Sequence, residues 1–171
     1  MEQKSQLITL RKLTKKDAKA LAKIGNNKKI YDNLRDKFPY PYTMEDALWF
    51  IDFANEQVDV PRFAIEYNDQ FTGIVGLHPQ EDIYKKSVEI GYWIGESFWG
   101  KGIATEAIRM MVEYGFENMD INRIWGSVFE YNLGSMRALE KNGFQLEGIF
   151  KKSVFKNGKF WDEHRYALVK K

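Results

Sequence analysis

Between Val88 and Gly115 the hydrophobic period changes from two to about 3.6, and two glycines stand at the change. Val88, Ile90, Tyr92 and Ile94 alternate with Glu89, Gly91 and Trp93, so a strand here turns the first set to one face and the second to the other. From Ala104 onward, Ala107, Ile108, Met111 and Gly115 continue one apolar stripe at helical spacing. The junction reads Trp99-Gly100-Lys101-Gly102-Ile103-Ala104-Thr105-Glu106. A strand, a glycine turn and an amphipathic helix in succession require a fold in which helices cover a sheet.

The rest of the chain fits that frame. Leu7–Arg11 alternates as a half-buried strand does, and Thr14-x-x-Asp17 has a capping-box spacing before a helix over Ala18–Ile24. Thr43-x-x-Asp46 repeats the signature before a helix of about Met44–Val58. Arg62–Tyr67 and Phe71–Leu77 read as strands joined at Asn68-Asp69. Arg123–Val128 is another strand, Ser135–Asn142 a short helix closed by Gly143, and Phe144–Lys156 and Lys159–Val169 a hairpin turning at Asn157-Gly158. The order β-α-α-β-β-β-α-β-α-β-β predicts an α+β domain with a mixed sheet and helices on its faces.

Composition narrows the class. A chain of 171 residues, 44% hydrophobic, is expected to form one domain over residues 1–171. A net charge of +2 argues against a nucleic-acid binder. The absence of cysteine excludes disulfides, zinc–thiolate sites and thiol nucleophiles. Neither a signal-peptide stretch nor a run of ~20 apolar residues occurs, so a cytoplasmic protein without membrane contact is expected. The aromatic content leaves room for a homodimer.

Three readings of the glycine segment compete. Gly95-x-x-x-x-Gly100-Lys101 has P-loop spacing, but Gly102 stands where a Ser or Thr must meet magnesium. Gly100-x-Gly102-x-x-Thr105 puts Thr where a dinucleotide fold needs a third small residue. The third reading needs only backbone N–H groups converging at the positive end of a helix, a nest for a diphosphate held without a metal. An ordinary strand-to-helix turn is its structural alternative, and Lys101 either adds charge or is simply solvated.

Trp99-Gly100-Lys101-Gly102-Ile103-Ala104 with Thr105-Glu106-Ala107 resembles the coenzyme A loop of GNAT acetyltransferases, in particular the RimJ/RimL branch. Trp99 departs from the general Gln/Arg-x-x-Gly-x-Gly/Ala pattern at its first position. Further blocks agree in order and spacing: Asn132-x-x-Ser135, Glu140-Lys141-Asn142-Gly143-Phe144, Glu147-Gly148, Gly158-x-x-x-Asp162 and Tyr166-Ala167. The resemblance implies a three-layer α/β/α fold whose central, mostly antiparallel sheet splays into a V-shaped cofactor cleft. It also implies that the backbone of Gly100, Gly102 and Ala104, with Lys101 beside it and Trp99, Ile103 and Thr105 flanking, holds the pyrophosphate of acetyl-CoA. Ile94 would pair with the pantetheine arm, and Asn132 would contact the coenzyme.

Acetyl transfer to an amine needs a neutral nucleophile, a stabilised oxyanion and a donor to the leaving thiolate. Glu89 is the candidate base, by resemblance to the glutamate of the histone-acetylating branch; otherwise it is a solvated strand residue or a counter-charge for a substrate ammonium. Many GNAT enzymes carry a tyrosine four residues before the Gly-Phe pair, where this chain has Leu139. Ser135 matches a RimL-type proton donor, with N-capping its structural reading and Tyr131 a further candidate. Phe38–Tyr42, including Tyr40, and Trp49 fall where the family builds its acceptor wall, and Arg35 and Asp36, just before that loop, are placed to meet a charged acceptor. Trp49 and Phe50 read as core first. His78 and His164 read as structural, and Lys15, Lys16, Lys19 and Lys23 as a solvated helix face. The expected activity is direct, metal-free acetyl transfer from acetyl-CoA to a primary amine, either a protein N-terminus or a small molecule. The rival is a non-catalytic acyl-CoA sensor on the same fold.

Overall fold

The structure, a computed structural model, describes residues 2–170. The chain opens with β1 (Gln3–Lys4) and β2 (Thr9–Arg11), an antiparallel pair. The strand expected from Leu7 begins later because Ser5 Oγ accepts the N–H groups of Leu7 and Ile8, at 3.2 and 3.1 Å, which turns the chain. β1 is a two-residue edge with no periodic signal.

Both capping boxes form. Asp17 Oδ2 accepts the Thr14 N–H and hydroxyl at 2.8 and 3.0 Å ahead of α1 (Ala18–Gly25). A one-turn helix, α2 (Lys28–Tyr31), follows, capped by the Asn27 side chain. Thr43 and Asp46 exchange the same bonds at the start of α3 (Met44–Glu56).

β3 (Arg62–Tyr67) and β4 (Gln70–Pro79) meet at Asn68 and Asp69, both at positive φ, the geometry that matches strand twist in a tight hairpin. β5 (Ser87–Ile94) lies antiparallel to β4, and the glycine segment leads into α4 (Ile103–Asn118). α4 is the crossover that lets β6 (Arg123–Phe129) run parallel to β5. α5 (Leu133–Lys141) follows, with Gly143 at φ 81° just beyond its end. β7 (Gln145–Lys156) and β8 (Lys159–Val169) then turn at Asn157-Gly158. The eight strands form one sheet, ordered β1-β2-β3-β4-β5-β6-β8-β7.

Two cores sandwich the sheet. On the back face Ala107, Ile108 and Met111 of α4 and Leu139 of α5 pack on Val75, Val88, Ile90 and Ile124. On the front face Leu21 of α1 and Ala47 and Ile51 of α3 pack on Ala64, Phe71 and Ile74. β4 is buried on both sides, so its sequence is a continuous apolar run rather than an alternation. This is the three-layer arrangement of mixed αβ elements expected above. Trp49 corrects its core reading: it is 63% exposed and stacks on Phe53 at the outer side of α3, whereas Phe50 packs against the front core. Lys15, Lys16, Lys19 and Lys23 are exposed, as a solvated helix face requires.

Arg11 locks β2 to the start of α1 and to β3. Its guanidinium grips both oxygens of Asp17, at 2.8 and 2.9 Å, and Glu66 at 2.7 Å. Burial alone would raise the Asp17 carboxyl, but Arg11 and Thr14 together hold it below its ordinary value. Its stabilisation is therefore present above the unfolded carboxyl's pKa of about 4 and lost as pH falls through the lower folded value. Asp17→Asn should cost on the order of 3 kcal/mol at pH 7 by urea unfolding, and the deficit should shrink steadily below about pH 4.

Candidate active site

β5 and β6 pair only at Ser87–Arg123, Val88–Ile124 and Glu89–Trp125, and beyond Glu89 they have no registered partner positions. Gly95 N–H donates to Thr72 O at 2.8 Å, which fixes the antiparallel alternation of β5 against β4. Counting back along the register, Glu89, Gly91 and Trp93 turn their backbone groups to β4. Ile90, Tyr92 and Ile94 turn theirs toward β6, into the opening of a V. Trp99 Nε1 donates to Ile94 O at 2.7 Å, so the indole spans the turn and occupies one lone pair of that carbonyl.

At the mouth of the V the chain needs Gly100 and Gly102, which sit at φ 76° and 78°, a region that side chains with a Cβ rarely adopt. Among the described residues, no atom beyond Gly100 and its chain neighbours lies within 4 Å of where a Gly100 Cβ would stand, so the backbone there is open to a ligand. Gly102 is the N-cap of α4 and has no side chain to satisfy the first N–H groups. Ile103 is buried in the back core and Ala104 packs against it, leaving only their amides for the loop. Lys101 Nζ lies 5.2 Å from the centre of the Phe98 ring. Thr105 O accepts from Asn142 Nδ2 at 3.0 Å, tying α4 to α5.

Across the opening Asn132, not Ser135, is the N-cap of α5: its Oδ1 accepts Ser135 N–H at 3.2 Å. That corrects the capping reading of Ser135, whose hydroxyl is free of that task. Ser135 Oγ instead lies 2.6 Å from Tyr92 Oη. Burial pushes the Tyr92 phenol up to about 12. Tyr131 donates to Asp32 O, so its hydroxyl is already committed on the front face.

On the front face Glu89 lies at the last paired position of the V, and Arg35 Nη2 meets its Oε1 at 2.6 Å. His78 stands beside Glu89 in register, and a Cβ on Gly91 would lie 3.3 Å from its Nε2. Burial first, and then the charges of Arg62 and Arg35, push His78 down to about 4, so it is neutral near pH 7. The segment after α2 crosses from β5 to the β7–β8 turn. Asp36 accepts from Lys156 Nζ at 2.6 Å, and Asp32 from Asn157 Nδ2 at 2.7 Å. Below it lies a cavity of about 230 Å³ walled by Arg35, Asp36, Phe129, Lys156 and Glu163. A second, of about 410 Å³, lies among Lys29, Asp32, Trp99, Tyr131 and Trp161. Phe38 stacks on Tyr42 at 4.6 Å and meets Trp93 edge-on, while Tyr40 lies half-exposed 5.5 Å from Tyr31. Of the expected acceptor-wall residues only Arg35 lines a cavity; Phe38, Tyr40 and Trp49 line neither.

Sequence reading gave no role to Tyr92, Lys156 or Glu163, and read His78 as structural without its place beside Glu89. Tyr92 sits among apolar neighbours on its strand face, and the others gain their setting only from strand register.

The model of the acetyltransferase (GNAT) domain matches residues 8–145. The chain belongs to the GNAT acetyltransferase family. It is 31% identical over 167 residues to the uncharacterized N-acetyltransferase YoaA of Bacillus subtilis, covering 95% of this chain and 93% of that one. The spermidine N(1)-acetyltransferase of Escherichia coli is 25% identical over 164 residues, 94% of this chain and 85% of the relative. RimL, the ribosomal L7/L12 alpha-N-protein acetyltransferase, solved in complex with coenzyme A, superposes with a TM-score of 0.85 at 26% identity. That match covers 97% of this chain and 96% of RimL. In this GNAT enzyme the sheet is splayed between β5 and β6, with Trp99 at the first position of the loop and Leu139, 1% exposed, in the back core.

The Arg35 charge acts on His78, which gives a direct check of the front-face geometry. Arg35→Gln should move the His78 titration upward from about 4, still below 6.5 because burial persists, as read from imidazole NMR signals against pH.

Proposed function

We propose that this enzyme transfers an acetyl group from acetyl-CoA directly to a primary amine through a ternary complex. The observation that carries the reading is the V. Backbone groups of Tyr92 and Ile94 face an opening whose mouth is the Gly100–Gly102 turn and the uncapped start of α4. A thioester's pantetheine arm can add to Ile94 as an extra strand, and its diphosphate fits amides of Gly100, Gly102 and Ala104 with Lys101 beside them. Without a cysteine no thiol can carry the acyl group.

Each residue then has a defined task. N–H groups near Ile94 meet the oxyanion as the carbonyl is attacked. Glu89, held at one oxygen by Arg35, takes the amine proton through its other oxygen, directly or through a water. Ser135 faces the departing sulfur, and Asn132 orients that helix start toward the coenzyme. Arg35, which lines the cavity beside Glu89, shapes the acceptor side, and Phe38 and Tyr40 support its loop from the front core and from Tyr31. Trp49 has no part in it. Two acceptor classes fit: a protein N-terminal α-amine, as for RimL, and a small amine, as for the spermidine enzyme. An α-amine, with an unperturbed pKa of about 8, is partly neutral at pH 7 and asks less of Glu89 than an alkylamine near 10.4. A cytoplasmic, single-domain enzyme suits either acceptor.

A peptide beginning with serine and spermidine, each with acetyl-CoA and a thiol-release assay, test the reading. Amine-dependent release of coenzyme A is expected; coenzyme binding with no release on any primary amine would overturn it. Glu89→Gln should lower kcat about a hundredfold without changing coenzyme affinity, and a variant that keeps the wild-type rate across about pH 6–9 would remove Glu89 as base. Gly102→Val, strained at φ 78°, should weaken coenzyme binding at least about tenfold by calorimetry.

A further inference from the structure

Tyr92 and Ser135 reach toward each other across the V from its two sides, one from β5 and the other from the first turn of α5. Their oxygens are 2.6 Å apart, and Tyr92 Oη is also 3.3 Å from the Ser135 carbonyl. We propose that Tyr92 is a positioning residue: its phenol donates to Ser135 Oγ and thereby directs the serine O–H at the thioester sulfur. The inference rests on the reading above and gives a task to a side chain that reading does not use.

We take the phenol as the donor of this bond, the direction that leaves the serine O–H for sulfur; a serine donating to Tyr92 Oη would spend that hydrogen. A phenol donating to the serine carbonyl would make the longer contact, to an oxygen that a helix already engages through its i+4 amide. Donation to Oγ makes the short one. The Ser135 amide is bonded to Asn132, so the serine hydroxyl has no capping duty and keeps its own hydrogen for a further acceptor. Because burial keeps Tyr92 protonated to about 12, the phenol remains a donor throughout the working range. α5 itself carries no tyrosine, and the phenol at this point comes from the opposite arm.

The same magnitudes decide what the pair does. A thiol titrates near 8.5, so outright proton transfer from Tyr92 to a thiolate runs uphill by a factor of more than about 10³. The pair is therefore a hydrogen-bond donor to sulfur and not a proton store. In the balanced step the amine nitrogen forms the N–C bond and gives one proton to Glu89, which releases it to solvent. The C–S bond breaks with its electron pair on sulfur. The thiolate leaves against the Ser135 O–H and takes its proton from solvent.

The first test needs no turnover. Coenzyme A bound to the wild-type protein is titrated by thiolate absorbance, and its thiol should ionise about one pH unit below free coenzyme, a tenfold change in the thiolate ratio. Tyr92→Phe, which keeps the ring packing, and Ser135→Ala should each return it toward the free value, while Ser135→Thr retains the shift. In turnover, Tyr92→Phe should lower kcat about tenfold with KM for acetyl-CoA unchanged, and should cost nothing further in a Ser135→Ala background. A bound thiol that ionises like free coenzyme, or a Tyr92→Phe protein with the wild-type titration, overturns the inference. So do losses that add in the double variant. Absence of turnover on every acceptor would remove the catalytic reading, and the thiol titration would still decide the hydrogen bond.

Discussion

The short pairing of β5 with β6 is the constraint on which this structure depends. Each strand is fully engaged on its outer side, β5 by β4 along Val88–Ile94 and β6 by β8 along Arg123–Phe129. Between them only the positions from Ser87 to Glu89 are matched to β6. Buried backbone groups must find partners, and the inner edge of β5 beyond Glu89 has none from a strand. The molecule has therefore built a slot whose most natural occupant is another extended chain of amides, and the Trp99 indole already meets one of its carbonyls.

The front of that slot is closed by charge. Arg35 meets Glu89 on one arm, and Asp36 and Asp32 meet Lys156 and Asn157 at the end of the other. Exposed pairs of this sort contribute little to stability one at a time. Lys156 differs, since it is 3% exposed, with its ammonium between Asp36 and the Tyr31 ring at 3.5 Å. Opening the segment would leave that charge without its partners, so the closure is anchored at the hairpin and looser at Arg35.

What could be read from the sequence was local. Thr43 and Asp46, Asn157-Gly158 and the two loop glycines each announce a backbone geometry within a few residues, and each forms as expected. The two faces of β5 were legible too, because alternation alone separates Glu89 from Ile90. The splay was not, because nothing in β5 or β6 records where their pairing stops; it was expected only through the family resemblance. Nor was the partnership of Tyr92 with Ser135, 43 positions apart, or of Asp36 with Lys156, 120 apart. Trp49 failed for the opposite reason: its aromatic character suggested a core or a pocket wall, and a solvent-side stack with Phe53 satisfied it instead.

The position of β8 has a consequence for how the molecule assembles. It is the last strand in order yet lies between β6 and β7, so its side of the cleft stays unfinished until the final element arrives. Until then β6 presents a bare edge, and β7, made earlier, is the nearest strand able to take the vacant place. A sheet whose interior is completed last has high contact order and a competing register. The tight turn at Asn157-Gly158 makes the β7–β8 pairing the local one, whereas β6 meets β8 across 36 positions, as between Ser127 and Glu163.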